Sequence, residues 1–528
     1  MADFIKAEQV ADYIPDGASV AVGGLVGSGH PEAITAALGR RYEKTGRPKD
    51  LTLVFSAGQG DGVSKGLGHF AKPGMLKRVV GGHWNWAPAL GRMAVDGEVE
   101  AYNLPQGTVT QLFHSIAGKK PGVITKVGLN TYVDPRVEGG KLNSRTTEDL
   151  VQVIQLDGEE WLWYKSFPIT VALLRGTTAD TNGNITTERE SSLLELLTIA
   201  QAARNCGGIV FVQVERVVPN GTMNPSHVKI PGILVDYIVV AQHPEEHMQT
   251  YAEQYNPSFS GEGRIRLSEV PPMPLSWRKV VARRAAMELT PNVVVNLGIG
   301  VPEGVANVAN EENVSDTMTL TVEAGGIGGV PAGGLNFGAV YNAEALVEHS
   351  QQFDFYDGGG LDIAFLGLAQ TDGEGNINVS KFNGRVAGSG GFINISQNAK
   401  KVVFCGSFTT GGLEVAVRDG GIKILREGSV KKFVSRVEQI TFSGKTARQM
   451  RQKVLYVTER AVFRLLPEGM VLTEIAPGIS VERDIMPHME FRPIISGQLR
   501  QMDTRLFREE KLDLAGRLAA LRHGQKEE

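Results

Sequence analysis

Apolar residues fall in short runs of four to eight, separated by stretches with helical spacing. VVVNLGIG (293–300) and KKVVFCG (400–406) are apolar on both faces, as parallel strands covered by helices on both sides should be. PEAITAALGRRYEKTG (31–46) and SSLLELLTIAQAARN (191–205) repeat apolar residues every three or four positions and predict helices. WRKVVARRAAMEL (277–289) predicts another, matched in position by FIKAEQVADYI (4–14) ahead of the first strand. The tail QLRQMDTRLFREEKLDLAGRLAALRHGQKEE (498–528) also reads as helix, with a packing or oligomer-contact role. Strand and helix alternate throughout, so the predicted fold class is α/β.

The pattern occurs twice. SVAVGGLVGSGHPEAI (19–34) and VVVNLGIGVPEGV (293–305) each place Gly-x-Gly-x-Pro-Glu directly after an apolar run, 271 residues apart. LTLVFSAG (51–58) resembles MTLTVEAG (318–325), with Leu53 aligned to Leu320. ITVALLRGTTADTNGNI (169–185) resembles LDIAFLGLAQTDGEGNI (361–377), and IVFV (209–212) resembles VVFC (402–405). Four matches in one order predict two tandem, related open α/β domains: 1–267, a proline-rich linker at 268–276, and 277–528.

Composition narrows the function. A net charge of -4 gives no field that favours nucleic acid or an anionic membrane. No apolar run reaches the roughly 18 residues of a membrane span, the N-terminus has no apolar signal core, and cytoplasm is the expected location. The two cysteines, Cys206 and Cys405, lie in or beside strand-like runs and predict free thiols. Glycine is in excess, 64 of 528 residues, clustered beside apolar runs where backbone would come close to a ligand.

A glycine loop between strand and helix can hold an anion or a thioester against backbone N–H groups. The alternative is a tight turn with no ligand. In the second loop, Pro302 and Glu303 suit a first helical turn, through the missing N–H and the helix dipole. The next repeat differs between the halves: Ser56 stands where Glu323 stands, SAG against EAG. Glu323 ends an apolar strand and opens EAGGIGGVPAGG, so few side chains screen it. A carboxylate so placed can face a substrate with backbone amides nearby, or can simply be a solvated strand end.

TVEAGGIGGVPAGG (321–334) resembles the active-site segment of the class I coenzyme A transferases, and NLGIGVP (296–302) resembles their CoA loop. GSGGFINIS (388–396), YVTERAVFRL (456–465), LTEIAPGI (472–479), YNLPQG (102–107) and HVKIPGILVDYIVV (227–240) resemble further family segments. The resemblance covers nearly the whole chain and is closest to the long single-chain acetate or propionate branch. In relatives acting on 3-keto acids the glutamate follows Ser and precedes Asn-Gly; Val322 and Ala324 replace those residues here, which leaves the substrate open.

The resemblance implies ping-pong transfer of CoA from a short-chain acyl-CoA to a free carboxylate, through a glutamyl-CoA thioester on Glu323. It implies oxyanion donors at Gln106, Gly390 and Gly391, and a CoA-binding set of Asn296, Gly298, Ile299, Gly300, Val301 and Gly388. Lys381 or Arg385 is the candidate for the CoA phosphates. CoA would be substrate and covalent intermediate, with no prosthetic group, no metal, and a homodimer or homotetramer as assembly. An acyl-CoA hydrolase with the same glutamate and a non-catalytic acyl-CoA binder are the alternatives; the Glu323–Ser56 asymmetry speaks against the binder.

Three other features read as structure. His83 in GGHWNWAP is expected in a packed loop, with aromatic stacking as the alternative. His243 and His247 have i, i+4 spacing, but the intervening Pro-Glu-Glu starts a helix rather than continuing one. DTNGNI (180–185) and DGEGNI (372–377) lack calcium-loop length and fit hairpin turns.

Overall fold

The computed structural model describes residues 2–266 and 272–522. By internal contacts the chain divides into two compact units: Met1–Ile265 with Val322–Asp354 and Ser380–Asn394, and Arg266–Thr321 with Phe355–Val379 and Ile395–Glu528. The units therefore interleave the sequence halves, since two segments of the second half fold with the first. Of the 268–276 linker, residues 268–271 lie outside the described residues; Ser276 caps the following helix through its hydroxyl.

The first unit is built on an eight-stranded, wholly parallel sheet. Its central strands run Ile209–Val214, Val171–Arg175, Ser19–Val22, Leu51–Phe55. Successive side chains enter opposite faces, and both faces are apolar. Val20, Val22 and Leu53 join one buried cluster, and Ala21 and Val54 the other. In the second unit, strands Lys401–Cys405, Ile363–Gly367, Val293–Leu297 and Met318–Thr321 stand in the same order, again parallel. The four sequence matches thus fall on the same four consecutive strands in each unit. The DTNGNI and DGEGNI segments form matching hairpin turns. Asp180 and Asp372 each accept two backbone N–H groups and an asparagine amide from within their own turn.

Three helix expectations are corrected. The 191–205 helix starts only at Leu196, because residues 191–195 are drawn into buried polar contacts: Ser191 with Ser28, Ser192 with the Gly338 carbonyl, and Glu195 with Ser56. At the N-terminus a strand, Asp3–Ile5, precedes a short 3-10 helix, Ala7–Tyr13, because an open sheet edge is available to pair Asp3 with Tyr237. In the tail, Ile494–Gln501 is a strand beside Gly469–Ile475, and helix is confined to a short 3-10 turn, Thr504–Phe507, and to Leu514–Arg522; residues 523–528 lie outside the described residues. Pairing at a sheet edge overrode local helical spacing there.

The first-half glycine loop is sealed. Arg175 pairs with Glu190, both buried, and donates to the His30 and Met248 carbonyls. His247 lies 3.6 Å from the same glutamate, a structural place rather than a metal position. Burial would raise the Glu190 carboxyl, but Arg175 and His247 hold it at about 2, below the ordinary 4.5. This stabilisation is present above the unfolded value near 4.5 and is lost as pH falls towards 2. Glu190→Gln strands the buried guanidinium and should cost about 3–5 kcal/mol. Urea unfolding at pH 7 checks the size, and the variant should lose less stability than the parent between pH 5 and 3 (about the span of that titration).

Candidate active site

Glu323 follows the Met318–Thr321 strand on a tight turn. The Val322 N–H donates to the Gly326 carbonyl at 2.8 Å, and the Gly325 N–H to the Val322 carbonyl at 2.9 Å. Gly325 has φ 104°, and any side chain there would strike the Val347 carbonyl oxygen, so this position requires glycine. On either side of the glutamate, Val322 and Ala324 are buried in an apolar cluster with Leu25, Val26, Ala57 and Leu194. The turn is thereby anchored through its neighbours, leaving the Glu323 side chain for other contacts.

Two segments supply those contacts. Gln106 opens the helix Gln106–Ala117, and the N–H groups at its first turn are satisfied by the 388–394 segment. Gln106 N–H donates to the Gly390 carbonyl at 3.0 Å, and Gly107 N–H to Asn394 Oδ1 at 3.2 Å. The Gln106 side chain is placed so that its amide favours the ionised Glu323 carboxylate. Gly391 lies directly against Glu323 Oε2, where a Cβ would overlap the oxygen and come within 3.0 Å of the Phe353 ring. Burial raises the Glu323 pKa from its ordinary 4.5, and the Gln106 amide pulls it back.

Behind Gln106 lies a buried polar chain. Gln106 Nε2 is 2.9 Å from His349 Nε2, and His349 Nδ1 is 2.7 Å from Glu195 Oε2. Ser56 Oγ donates to Glu195 Oε1 at 2.5 Å. Ser56, Glu195 and His349 are wholly inaccessible to solvent. The chain therefore runs from Ser56, the residue matched to Glu323 in the first half, to Glu323 itself. Leu194, beside Glu195, is held at φ 53°, a conformation uncommon for leucine, and its carbonyl accepts the His349 N–H at 3.2 Å.

Sequence reasoning missed Glu195 and His349. The available signal was the single charge inside the apolar run LLELL, which belongs on no helix face that is otherwise apolar.

The remaining predicted residues are placed as follows. Gly390 N–H donates to the Gly82 carbonyl at 2.8 Å, so it is already engaged and is not an available oxyanion donor. Gly388 pairs with His83 across a short bridge, with its N–H on the Ser380 carbonyl. Asn296 is buried in the second unit, its amide nitrogen bonded to the Thr321 carbonyl and the Tyr356 hydroxyl. Gly298, Ile299, Gly300 and Val301 form an open loop: Ile299 is 51% exposed, and Gly300 faces no neighbouring atom. Pro302 and Glu303 precede the helix Gly304–Glu311. Arg385 is exposed and Lys381 half-buried on the hairpin Lys381–Phe382 and Arg385–Val386. Trp84 is packed in the core against Phe55, so it offers no stacking platform, and burial lowers His83 to about 4. Among the described residues, no group of three or more His, Cys, Asp or Glu is arranged to hold a metal, and no helix is long and apolar enough to cross a membrane.

Comparison with known proteins fits this geometry. The family model described as coenzyme A transferase matches residues 5–241. The caffeate CoA-transferase of Acetobacterium woodii is 49% identical over 514 residues, 96% of this chain and 98% of that protein. The acetate CoA-transferase YdiF of Escherichia coli K12 is 43% identical over 505 residues, 95% of this chain and 94% of that one. The crystal structure of the YdiF apoenzyme from Escherichia coli O157:H7 superposes with a TM-score of 0.93 at 41% identity, covering 97% of each chain. A structure of YdiF as a thioester complex with CoA superposes with a TM-score of 0.91.

Two outcomes test the geometry. Gly391→Ala should displace the glutamate and lower transfer activity by roughly 100-fold, with a melting temperature close to the parent's. Gln106→Ala removes a group that favours the ionised carboxylate. The acid limb of kcat/KM, set above the ordinary 4.5 in the parent, should then move further up in pH.

Proposed function

The chain belongs to the coenzyme A transferase family, enzymes that move CoA between an acyl-CoA and a carboxylate, and from this we propose that Glu323 is the nucleophile of a ping-pong transfer. One observation carries the reading: the Glu323 carboxylate lies directly against Gly391, on a turn whose neighbouring side chains are locked in apolar packing.

A Glu323 oxygen attacks the thioester carbonyl of the acyl-CoA, the C–S bond breaks, and CoA leaves as thiolate. The product is a mixed anhydride. The thiolate then attacks the glutamyl carbonyl, the anhydride C–O bond breaks, and the donor's carboxylate departs, leaving glutamyl-CoA. An acceptor carboxylate runs the two steps in reverse, so Glu323 is regenerated with no net proton transfer. The raised pKa fits this chemistry: a carboxylate partly stripped of water is a stronger nucleophile than a solvated one.

Negative charge develops on the carbonyl oxygen in each step. Gln106 and the Gly391 N–H are the proposed donors, each worth roughly 3–4 kcal/mol by the usual cost of losing one. The open loop Gly298–Val301 is the proposed seat for CoA, with binding of the distant CoA moiety turned to use in the transition state. The thioester complex of YdiF with CoA supports a covalent CoA intermediate here. The relatives named for acetate and caffeate support small carboxylates as acceptors.

The test is covalent trapping. Protein incubated with acetyl-CoA without acceptor, then reduced with borohydride and mapped by mass spectrometry, should carry its modification on Glu323. Hydroxylamine should inactivate only after acyl-CoA is added. Free thiol should not accumulate without acceptor; steady release would instead make the enzyme a hydrolase. Full transferase activity in Glu323→Ala would overturn the proposal.

A further inference from the structure

We propose that Glu195 and His349 are positioning residues that fix which end of the Gln106 amide faces Glu323; the inference rests on Glu323 being the nucleophile. A glutamine amide has an oxygen and a nitrogen of almost equal size at the same radius. Only its partners decide which end points where. Gln106 is 1% exposed, so water does not make that choice.

The partners make it as follows. His349 Nδ1 lies 2.7 Å from a carboxylate oxygen of Glu195, an acceptor, so Nδ1 carries the hydrogen. The other Glu195 oxygen is taken by the Ser56 hydroxyl, which holds the carboxylate in that orientation. His349 Nε2 faces the Gln106 amide nitrogen, a donor, so Nε2 carries no hydrogen and presents a lone pair. That lone pair is 2.9 Å from Gln106 Nε2 and accepts one of its two N–H groups. The amide nitrogen is thereby fixed in place, as the donor that favours the ionised Glu323 carboxylate. With the hydrogen on Nε2 instead, His349 would call for the amide oxygen, and the oxygen of Gln106 would oppose the carboxylate and the developing oxyanion.

Ordinary structural ion pairing does not require this arrangement. Glu195 and His349 could satisfy one another in isolation. Instead, each makes a second hydrogen bond, and the chain ends at the side chain that touches the nucleophile. Leu194 is held in an uncommon backbone conformation beside Glu195, as expected where placement at a site takes precedence over local preference.

Glu195→Gln is the decisive variant, since its amide can donate to His349 Nδ1 and drive the hydrogen to Nε2. The expected result is a fall in kcat of about 100-fold, in the range for losing one oxyanion donor, with KM for acetyl-CoA within about twofold of the parent. In a Gln106→Ala background the same substitution should change kcat less than about threefold, because it acts through Gln106. His349→Gln retains an acceptor near Nε2 and should keep more activity than His349→Met. If Glu195→Gln does not fold, Ser56→Ala, which only frees Glu195, takes its place with a smaller expected loss, again absent in Gln106→Ala. Losses that multiply in the Gln106→Ala background, or a Glu195→Gln enzyme with the parent's kcat, overturn the inference. Borohydride labelling of the parent protein separates the two ideas. A label on Glu323 together with either of those results removes only the positioning role; no label on Glu323 removes the nucleophile as well.

Discussion

The orientation of one amide, Gln106, is the constraint on which the site depends. A carboxylate taken out of water needs a donor to remain charged, and the Gln106 amide that favours the charged form belongs to a side chain with two interchangeable ends. The surroundings of Gln106 limit its freedom from several directions. Its backbone N–H is fixed to the Gly390 carbonyl, its helix begins there, and the next N–H is tied to Asn394. The side chain is left one torsional choice, and His349 faces it. Glu323 is restrained in the same manner from its own side, through Val322, Ala324 and the Gly325 turn.

The duplicated architecture shows how one fold unit yields two different sites. Both halves place a glycine loop after the first matched strand. In the first, Tyr251 packs against Gly27 and donates its hydroxyl to Glu32, while His69 and the Gly66 N–H complete the carboxylate's contacts. Burial would raise Glu32, but His69, His30 and Tyr251 hold it at about 2. Every acceptor on that glutamate is directed inward. In the second loop the corresponding Glu303 is raised by burial, Gly300 is open, and Ile299 is left in solvent. Ser56 and Glu323 differ in a related way. The serine, bonded to Glu195, is fully buried, while the glutamate keeps some solvent exposure. The first-half position has become part of the support for the second.

Much of this was legible in the sequence because it follows from periodicity and turn chemistry. Parallel strands appear as two-sided apolar runs, and the Asp-x-Asn/Glu-Gly-Asn segments appear as turns because aspartate satisfies its own following N–H groups. The match of Ser56 to Glu323 fell on corresponding strands. The failures share one cause. Residues 191–195 read as helix because LLELL has helical spacing, yet distant partners, Ser28, Gly338, Ser56 and His349, claim their polar atoms. Asn296 entered the CoA-binding set through the family resemblance, while its amide is held by Thr321 and Tyr356. Contacts between residues well separated along the chain leave no periodic trace.

Backbone strain lies where those long-range demands meet. Val26 and Leu194 both occupy the left-handed region, at φ 53°, and both belong to the small apolar cluster that also buries Val322 and Ala324. A β-branched valine in that region is disfavoured by order 1–3 kcal/mol, so the surrounding contacts must hold it there. Val26 is held by the Gly58 carbonyl and the Gly60 N–H, and Leu194 by the His349 N–H. Relaxing either residue towards ordinary φ would shift this shared packing, and with it the turn under Glu323 or the carboxylate of Glu195. The strained positions and the reactive side chains are thus coupled through one cluster. The fold tolerates local cost at Val26 and Leu194 because the same contacts fix the geometry around the glutamate.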